Sequence, residues 1–147
     1  MIHLKAIVIY SKTGNTRHVA NHLVNEDAIL LEVVPMIDNP NLEHPELKNI
    51  PDIKNYEHII IGSPVHGFML SNVMKTYIKQ TDFSNKQVNL FVTHFFPFAW
   101  MGGNQTLKQM KKLIEEKGGK VGLMTSINWK NRKREQDINH LVESYKS

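Results

Sequence analysis

Short, unbroken runs of apolar and β-branched residues alternate along this chain with amphipathic stripes, and that alternation restricts the fold more than any other feature. Four runs stand out, Ala6 to Tyr10, Ala28 to Val34, His58 to Ile61 and Val88 to Thr93, with a weaker fifth at Lys120 to Ile127. A strand with one solvated face alternates apolar and polar residues, whereas a strand covered on both faces reads as a continuous apolar run. The runs are therefore expected to form a parallel sheet flanked by helices. Between them, Thr16, Val19, Ala20, Leu23 and Val24 fall on one helical stripe, as do Val73, Met74, Tyr77 and Ile78, then Leu107, Met110, Leu113 and Ile114, then Ile138, Leu141, Val142 and Tyr145. Ser71 or Asn72 can cap the second helix, and Gly118-Gly119 ends the third. Pro35, Pro40, Pro45 and Pro51 crowd one crossover, which has room for at most a short helix around Leu42 to Lys48. The expectation is a single α/β domain over residues 1–147, a doubly wound sheet with helices on both faces.

Composition narrows the chemistry. At 147 residues, with 41% hydrophobic and 22% charged residues, the chain has the balance of a globular domain. It contains no cysteine, which removes disulfides, thiolate metal sites, iron–sulfur clusters and thiol nucleophiles, so a redox role has to come from a bound cofactor. No apolar run approaches the roughly 20 residues that span a bilayer, and the N-terminus lacks a signal-peptide layout. A soluble, cytoplasmic protein is expected.

After the first run comes Ser11-Lys12-Thr13-Gly14-Asn15-Thr16, leading into a helix. Ligands of open parallel sheets bind outside the carboxyl ends of the strands, so this position is informative. Ser11, Thr13, Asn15 and Thr16 offer hydroxyls and an amide, and Gly14 permits close backbone approach, as a phosphate site without obligatory charge requires. The same residue types build plain turns and caps; their concentration directly after the first strand favours phosphate. The spacing matches neither GxxxxGK[ST] nor GxGxxG. A tyrosine phosphatase of low molecular weight would need a cysteine here, and a response-regulator receiver an acidic cluster.

These residues resemble the first loop of the flavodoxin family, whose T/S-x-T-G-x-T pattern is met by Ser11, Thr13, Gly14 and Thr16, with Asn15 at the variable place. Ile60-Ile61-Gly62-Ser63-Pro64-Val65-His66-Gly67 is similar to the family's second flavin loop. Val92-Thr93-His94, with Gly102-Gly103 and the helix before Gly118-Gly119, is similar to its third. The resemblance implies strand order 2-1-3-4-5 with FMN at the strand ends. It implies cofactor contacts from Ser11, Lys12, Thr13, Gly14, Asn15 and Thr16, from Ser63, Pro64, Val65, His66 and Gly67, and from Thr93, His94, Phe95, Phe96, Gly102 and Gly103.

Without the family, residues 62–68 read as a turn in which Pro64 fixes φ and Gly67 is free to take positive φ. By resemblance, Val65-His66-Gly67 lies along the flavin's N5 edge, and Gly67 is the residue whose peptide answers a change of redox state. Phe95, Phe96, Phe98 and Trp100, interrupted by Pro97, make the third loop aromatic. At least one is expected near the ring and the others in packing or facing a partner, with Met69 and Leu70 extending the apolar rim.

Acidic flavodoxins surround the cofactor with carboxylates. Here no Asp or Glu occurs between Gly62 and Tyr77 or between Lys86 and Lys112. A nearby positive charge favours an anionic, reduced flavin by on the order of 1 kcal/mol, so a less negative potential is expected. Lys130, Arg132, Lys133 and Arg134 concentrate the basic excess, with Lys108, Lys111 and Lys112 before them. Such a run is either a solvated face, a dock for an acidic protein, or a site for dinucleotide phosphates. Nucleic-acid binding is not expected at a net charge of +4 without a recognised module. The eight histidines include His18 and His22, four apart, but no HExxH, and no metal site is expected.

The leading expectation is an FMN-binding electron-transfer protein that works between a reductase and an acceptor, its own groups holding and tuning the cofactor. Its first rival is an FMN-dependent NAD(P)H oxidoreductase acting on a quinone or small aromatic acceptor. Its second is a binding module of the same fold that has lost FMN, against which the intact residues 11–16 stand.

Overall fold

The structure, a computed structural model, describes residues 4–95 and 102–146. Five parallel strands form the main sheet: β1 (Lys5–Ile9), β2 (Ala28–Glu32), β5 (His58–His66), β7 (Gln87–His94) and β8 (Lys120–Asn128), in the order β2-β1-β5-β7-β8. Counting only these strands, that is the expected 2-1-3-4-5. The helices α1 (Asn15–Asn21), α2 (Asn72–Lys79), α3 (Gly103–Glu116) and α4 (Arg134–Ser144) connect or follow them.

The continuous apolar runs have the expected cause. In β1, Ala6 and Val8 join one core cluster with α2 and α3 residues such as Met74, Tyr77 and Met110, while Ile7 and Ile9 join the opposite one with Val19 of α1 and Ile138 and Leu141 of α4. Adjacent strand residues face opposite layers, so both must be apolar. Each layer removes its side chains from water at about 25 cal/mol per Å² of apolar surface. Ser71 is the N-cap of α2, its hydroxyl accepting from Met74 N at 3.3 Å. After α3, Gly118 adopts φ 92°, and Gly119 N donates to Ile114 O at 3.0 Å, a Schellman closure.

Two segments depart from expectation. The run Ala28 to Val34 divides: β2 stops at Glu32, and β3 (Val34–Pro35) pairs antiparallel with β4 (Leu47–Asn49) in a separate two-stranded sheet. No helix forms across residues 42–48; Pro45 disfavours helical backbone in the residue before it and supplies no N–H, so the stretch ends as a strand. Residues 62–66 are not a turn. They continue β5 as far as His66, and the chain folds back through Gly67 and Phe68 into β6 (Met69–Leu70), which pairs antiparallel with Val65 and His66. Both turn residues have positive φ, 54° and 66°, the type I′ geometry that suits the twist of a tight hairpin.

Candidate functional site

The chain leaves β1, β5 and β7 at one end of the sheet, because parallel strands point the same way and Ile9, Gly62 and Phe91 stand side by side in register. Residues 10–15 leave β1 and turn into α1 through Gly14, whose φ of 97° belongs to the left-handed region. A Cβ there would meet no atom within 4 Å, so the glycine leaves open space at the loop's centre. The Ser11 hydroxyl accepts from Gly14 N at 3.1 Å and Arg17 N at 3.2 Å and thereby closes the loop on itself. Thr16 is buried, its hydroxyl 3.0 Å from that of Thr93, which bolts the loop to β7. Arg17 reaches Glu32 at the end of β2 with Nε and Nη2. Thr13 is left exposed and Asn15 half-buried on this braced frame.

In the second loop Ser63 is fully buried, its hydroxyl 2.9 Å from that of Ser71 and donating to Pro64 O at 3.0 Å, so it ties β5 to the start of α2. Val65 and His66 are half-buried and Gly67 exposed; a Cβ on Gly67 would again meet nothing within 4 Å. Phe68, at a positive φ that costs a bulky residue about 1 kcal/mol, holds its ring half in solvent. Beside the hairpin lies a cleft of about 440 Å³ whose walls include Pro40, Asn41, His66, Met69 and Lys75.

In the third loop Thr93 and His94 are buried and Phe95 is 49% exposed. Phe96, Pro97, Phe98 and Trp100 lie outside the described residues. A Cβ on Gly102, at φ 139°, would stand only 3.0 Å from Phe68 Cα, so Gly102 rests directly on the hairpin turn. Gly103 opens α3 against Ser126 and His94. The three sequence-derived loops are thus brought together, with Ser63, Thr16, Thr93 and His94 as buried struts and Thr13, Gly14, Asn15, His66, Gly67 and Phe95 at the accessible edge.

One charged group at this edge has no counterpart in the sequence motifs. Asp38 leaves the crossover after β3 and comes beside the first two loops: Tyr10 donates to its carboxylate at 2.6 Å, and Lys12 Nζ lies 3.5 Å from Oδ2 and donates to its main-chain oxygen at 3.0 Å. The expectation of surroundings without carboxylates is corrected accordingly, since a residue after the neighbouring strand reaches the same edge. Its local signal was the turn-forming Asp-Asn-Pro at residues 38–40. Burial, then Asp38, pushes the Tyr10 phenol well above its ordinary value, so it stays a neutral donor. The Tyr10 ring meets His66 edge-on, centroids 6.0 Å apart. Burial pushes His66 below the usual imidazole range, Lys12 adds to this, and Asp38 partly opposes it.

That shift has a readable sign. Between the folded and unfolded pKa values of His66 the unfolded chain binds more protons, so stability is retained above about pH 6.5 and falls as pH drops through that value toward the lower folded one. Urea midpoints at neutral and mildly acidic pH are expected to differ less in His66→Gln than in the wild type. An equal difference in both proteins would contradict the buried, neutral imidazole.

Of the basic run, Lys130, Arg132 and Lys133 are exposed, whereas Arg134 stacks 4.3 Å over the Trp129 ring and donates to Trp129 O at 2.8 Å. Trp129 packs against the cluster that holds Ile7 and Phe91. Among the described residues no helix is long and apolar enough to cross a membrane.

No curated protein sequence matches the chain. Among solved structures, one from Bacteroides uniformis, provisionally named a flavoprotein, superposes with TM-score 0.73 at 18% identity, over 96% of this chain and 99% of that one. A flavoprotein in complex with FMN from Lactobacillus acidophilus gives 0.66 at 18%, over 94% and 97%. Oxidised flavodoxin 2 from Bacillus cereus gives 0.65 at 17%, over 95% and 96%. Identities this low carry the fold alone. The flavodoxin-domain model matches residues 6–132, from the second residue of β1 to beyond the end of β8, and by that match the chain belongs to the flavodoxin family.

Proposed function

We propose that the chain binds FMN at the carboxyl ends of β1, β5 and β7 and serves as an electron-transfer flavoprotein. The observation that carries this reading is the open, braced loop after β1: a left-handed Gly14 with free space around it, closed by Ser11 and bolted to β7 through Thr16. Thr13 and Asn15, with the loop amides, would hold the phosphate, and Val65, His66 and Gly67 would line the ring's edge. FMN when bound supplies the redox chemistry that a chain without cysteine has no side chain to perform. His66, kept neutral, offers a hydrogen bond without adding charge beside the ring, and Lys12 and Asp38 act on it in opposite directions. Exposed Lys130, Arg132 and Lys133 suit an acidic redox partner.

A second reading, an NAD(P)H oxidoreductase with an apolar acceptor such as a quinone, is favoured by the half-exposed Phe68, Met69 and Phe95 around the same edge. Steady-state NAD(P)H oxidation by the purified, FMN-loaded chain alone separates the two. The primary test is titration of the apoprotein with FMN, read by flavin fluorescence and absorbance. Stoichiometric quenching is expected, with Thr13→Ala and Asn15→Ala each weakening affinity about tenfold, since a hydrogen bond to a charged group contributes about 1.5 kcal/mol or more. Absence of binding at high FMN would overturn the reading and favour a binding module of this fold.

A further inference from the structure

α1 and α4 both pack on the sheet face that carries Ile7 and Phe91, and their solvent sides bring together groups 117 residues apart in sequence. His18 of α1, His22 at its C-cap and Glu135 in the first turn of α4 each place one ligand atom within 4.8 Å of the other two. His18 Nε2 is 3.2 Å from Glu135 Oε1. Metal–ligand bonds of about 2.1 Å in a tetrahedron put neighbouring ligand atoms about 3.4 Å apart, so a small rotamer adjustment would enclose an ion.

The tautomer of His22 also suits this role. His22 Nδ1 lies 2.8 Å from His18 O, and since a carbonyl only accepts, Nδ1 carries the proton and Nε2 keeps its lone pair. A ring N–H donated to a backbone carbonyl is the arrangement that fixes the tautomer of metal-binding histidines. The His18 ring is held edge-on by Trp129, centroids 5.5 Å apart, and by His22 at 4.9 Å. An ion pair with Glu135 would use one imidazole only. A shared cation is the state in which both lone pairs and the carboxylate are used at once.

We infer that His18, His22 and Glu135 form a binding site for a divalent transition metal of the zinc class, and that the bound ion fastens α1 to α4. Two nitrogens and one oxygen select borderline metals such as Zn²⁺ over Mg²⁺ or Ca²⁺. Exposure of all three ligands, together with the guanidinium of Arg134 3.7 Å from Glu135, makes the site weaker than enclosed structural ones. Solvent fills the remaining coordination positions.

The test is isothermal titration of untagged, chelator-treated protein with ZnCl₂, without flavin, so that it stands apart from the FMN reading. One saturable equivalent is expected, with no response to MgCl₂. His22→Ala and Glu135→Gln should each weaken it at least about tenfold, while His140→Ala, another exposed histidine, leaves it unchanged. These positions are exposed, and circular dichroism of each variant confirms folding. No saturable zinc binding, or binding equally strong in both ligand variants, overturns the site; loss in His22→Ala with full retention in Glu135→Gln overturns the link between α1 and α4.

Discussion

Gly62→Ala should destabilise the protein by about 3 kcal/mol, and Phe91→Leu should recover a large part of that loss. Gly62 sits inside β5 opposite Phe91 of β7, and the Phe91 ring lies across the space where a side chain would be. A Cβ at Gly62 would stand 2.2 Å from Phe91 Cζ. The ring is 0% exposed and packed in the cluster with Ile7, Ile9 and Ile60, so it has nowhere to turn. Overpacking of a closed core costs about 1–3 kcal/mol, occasionally more, and a contact this short falls at the upper end. With a urea m-value of about 2 kcal/mol/M, the midpoint should fall by about 1.5 M. Phe91→Leu alone creates a small cavity and costs about 1 kcal/mol, yet in the double variant it makes room for the new methyl, so the two changes should couple by about 2.5 kcal/mol and leave the double variant only about 1.5 kcal/mol less stable than the wild type. Additive losses would mean that the strain of Gly62→Ala lies elsewhere than on the ring. The residue that looks like the start of a turn is thus a strand glycine, kept small by an aromatic neighbour one strand away.

What could be read from the sequence had local causes. Ala6 to Ile9 is apolar without interruption because alternate residues meet opposite layers, and that pattern is visible residue by residue. The Ser71 cap and the Gly118 stop were visible for the same reason. Features settled by distant partners were not. Asp38 matters because β2 lies beside β1, which brings the crossover after it against Tyr10 and Lys12. Glu135 meets His18 only because α1 and α4 share a face of the sheet. The hairpin at Gly67 and Phe68 lacks the Asn-Gly signature of its turn type, and a bulky residue at positive φ is a poor prior until β6 is seen to pair with β5. Nor does a hydroxyl at a strand end announce its direction: Ser63 and Thr93 stand at the site by position, but both are inside, joining elements to one another.

Those joints matter most where the second and third loops touch, and there Gly102→Ala should separate binding from stability. At φ 139° and ψ −30° Gly102 occupies backbone space that a residue with a Cβ avoids, and the new methyl would press on Phe68 Cα at 3.0 Å and Val65 Cγ1 at 3.2 Å. Backbone strain of this kind costs about 1–3 kcal/mol. Relief requires the hairpin or the start of α3 to shift, and under the FMN reading both border the ring, so affinity should fall by about a hundredfold, or about 2.7 kcal/mol. Gly118→Ala is the matched control. It also has positive φ, 92°, and its Cβ would lie 3.1 Å from Ser84 Cα, but it ends α3 at the opposite end of the sheet. Both variants should lower the urea midpoint by comparable amounts. Only Gly102→Ala should raise the FMN dissociation constant, measured well below either melting temperature. Equal dissociation constants in the two variants would show that the contact between the hairpin and the third loop supports the fold and leaves the cofactor site untouched.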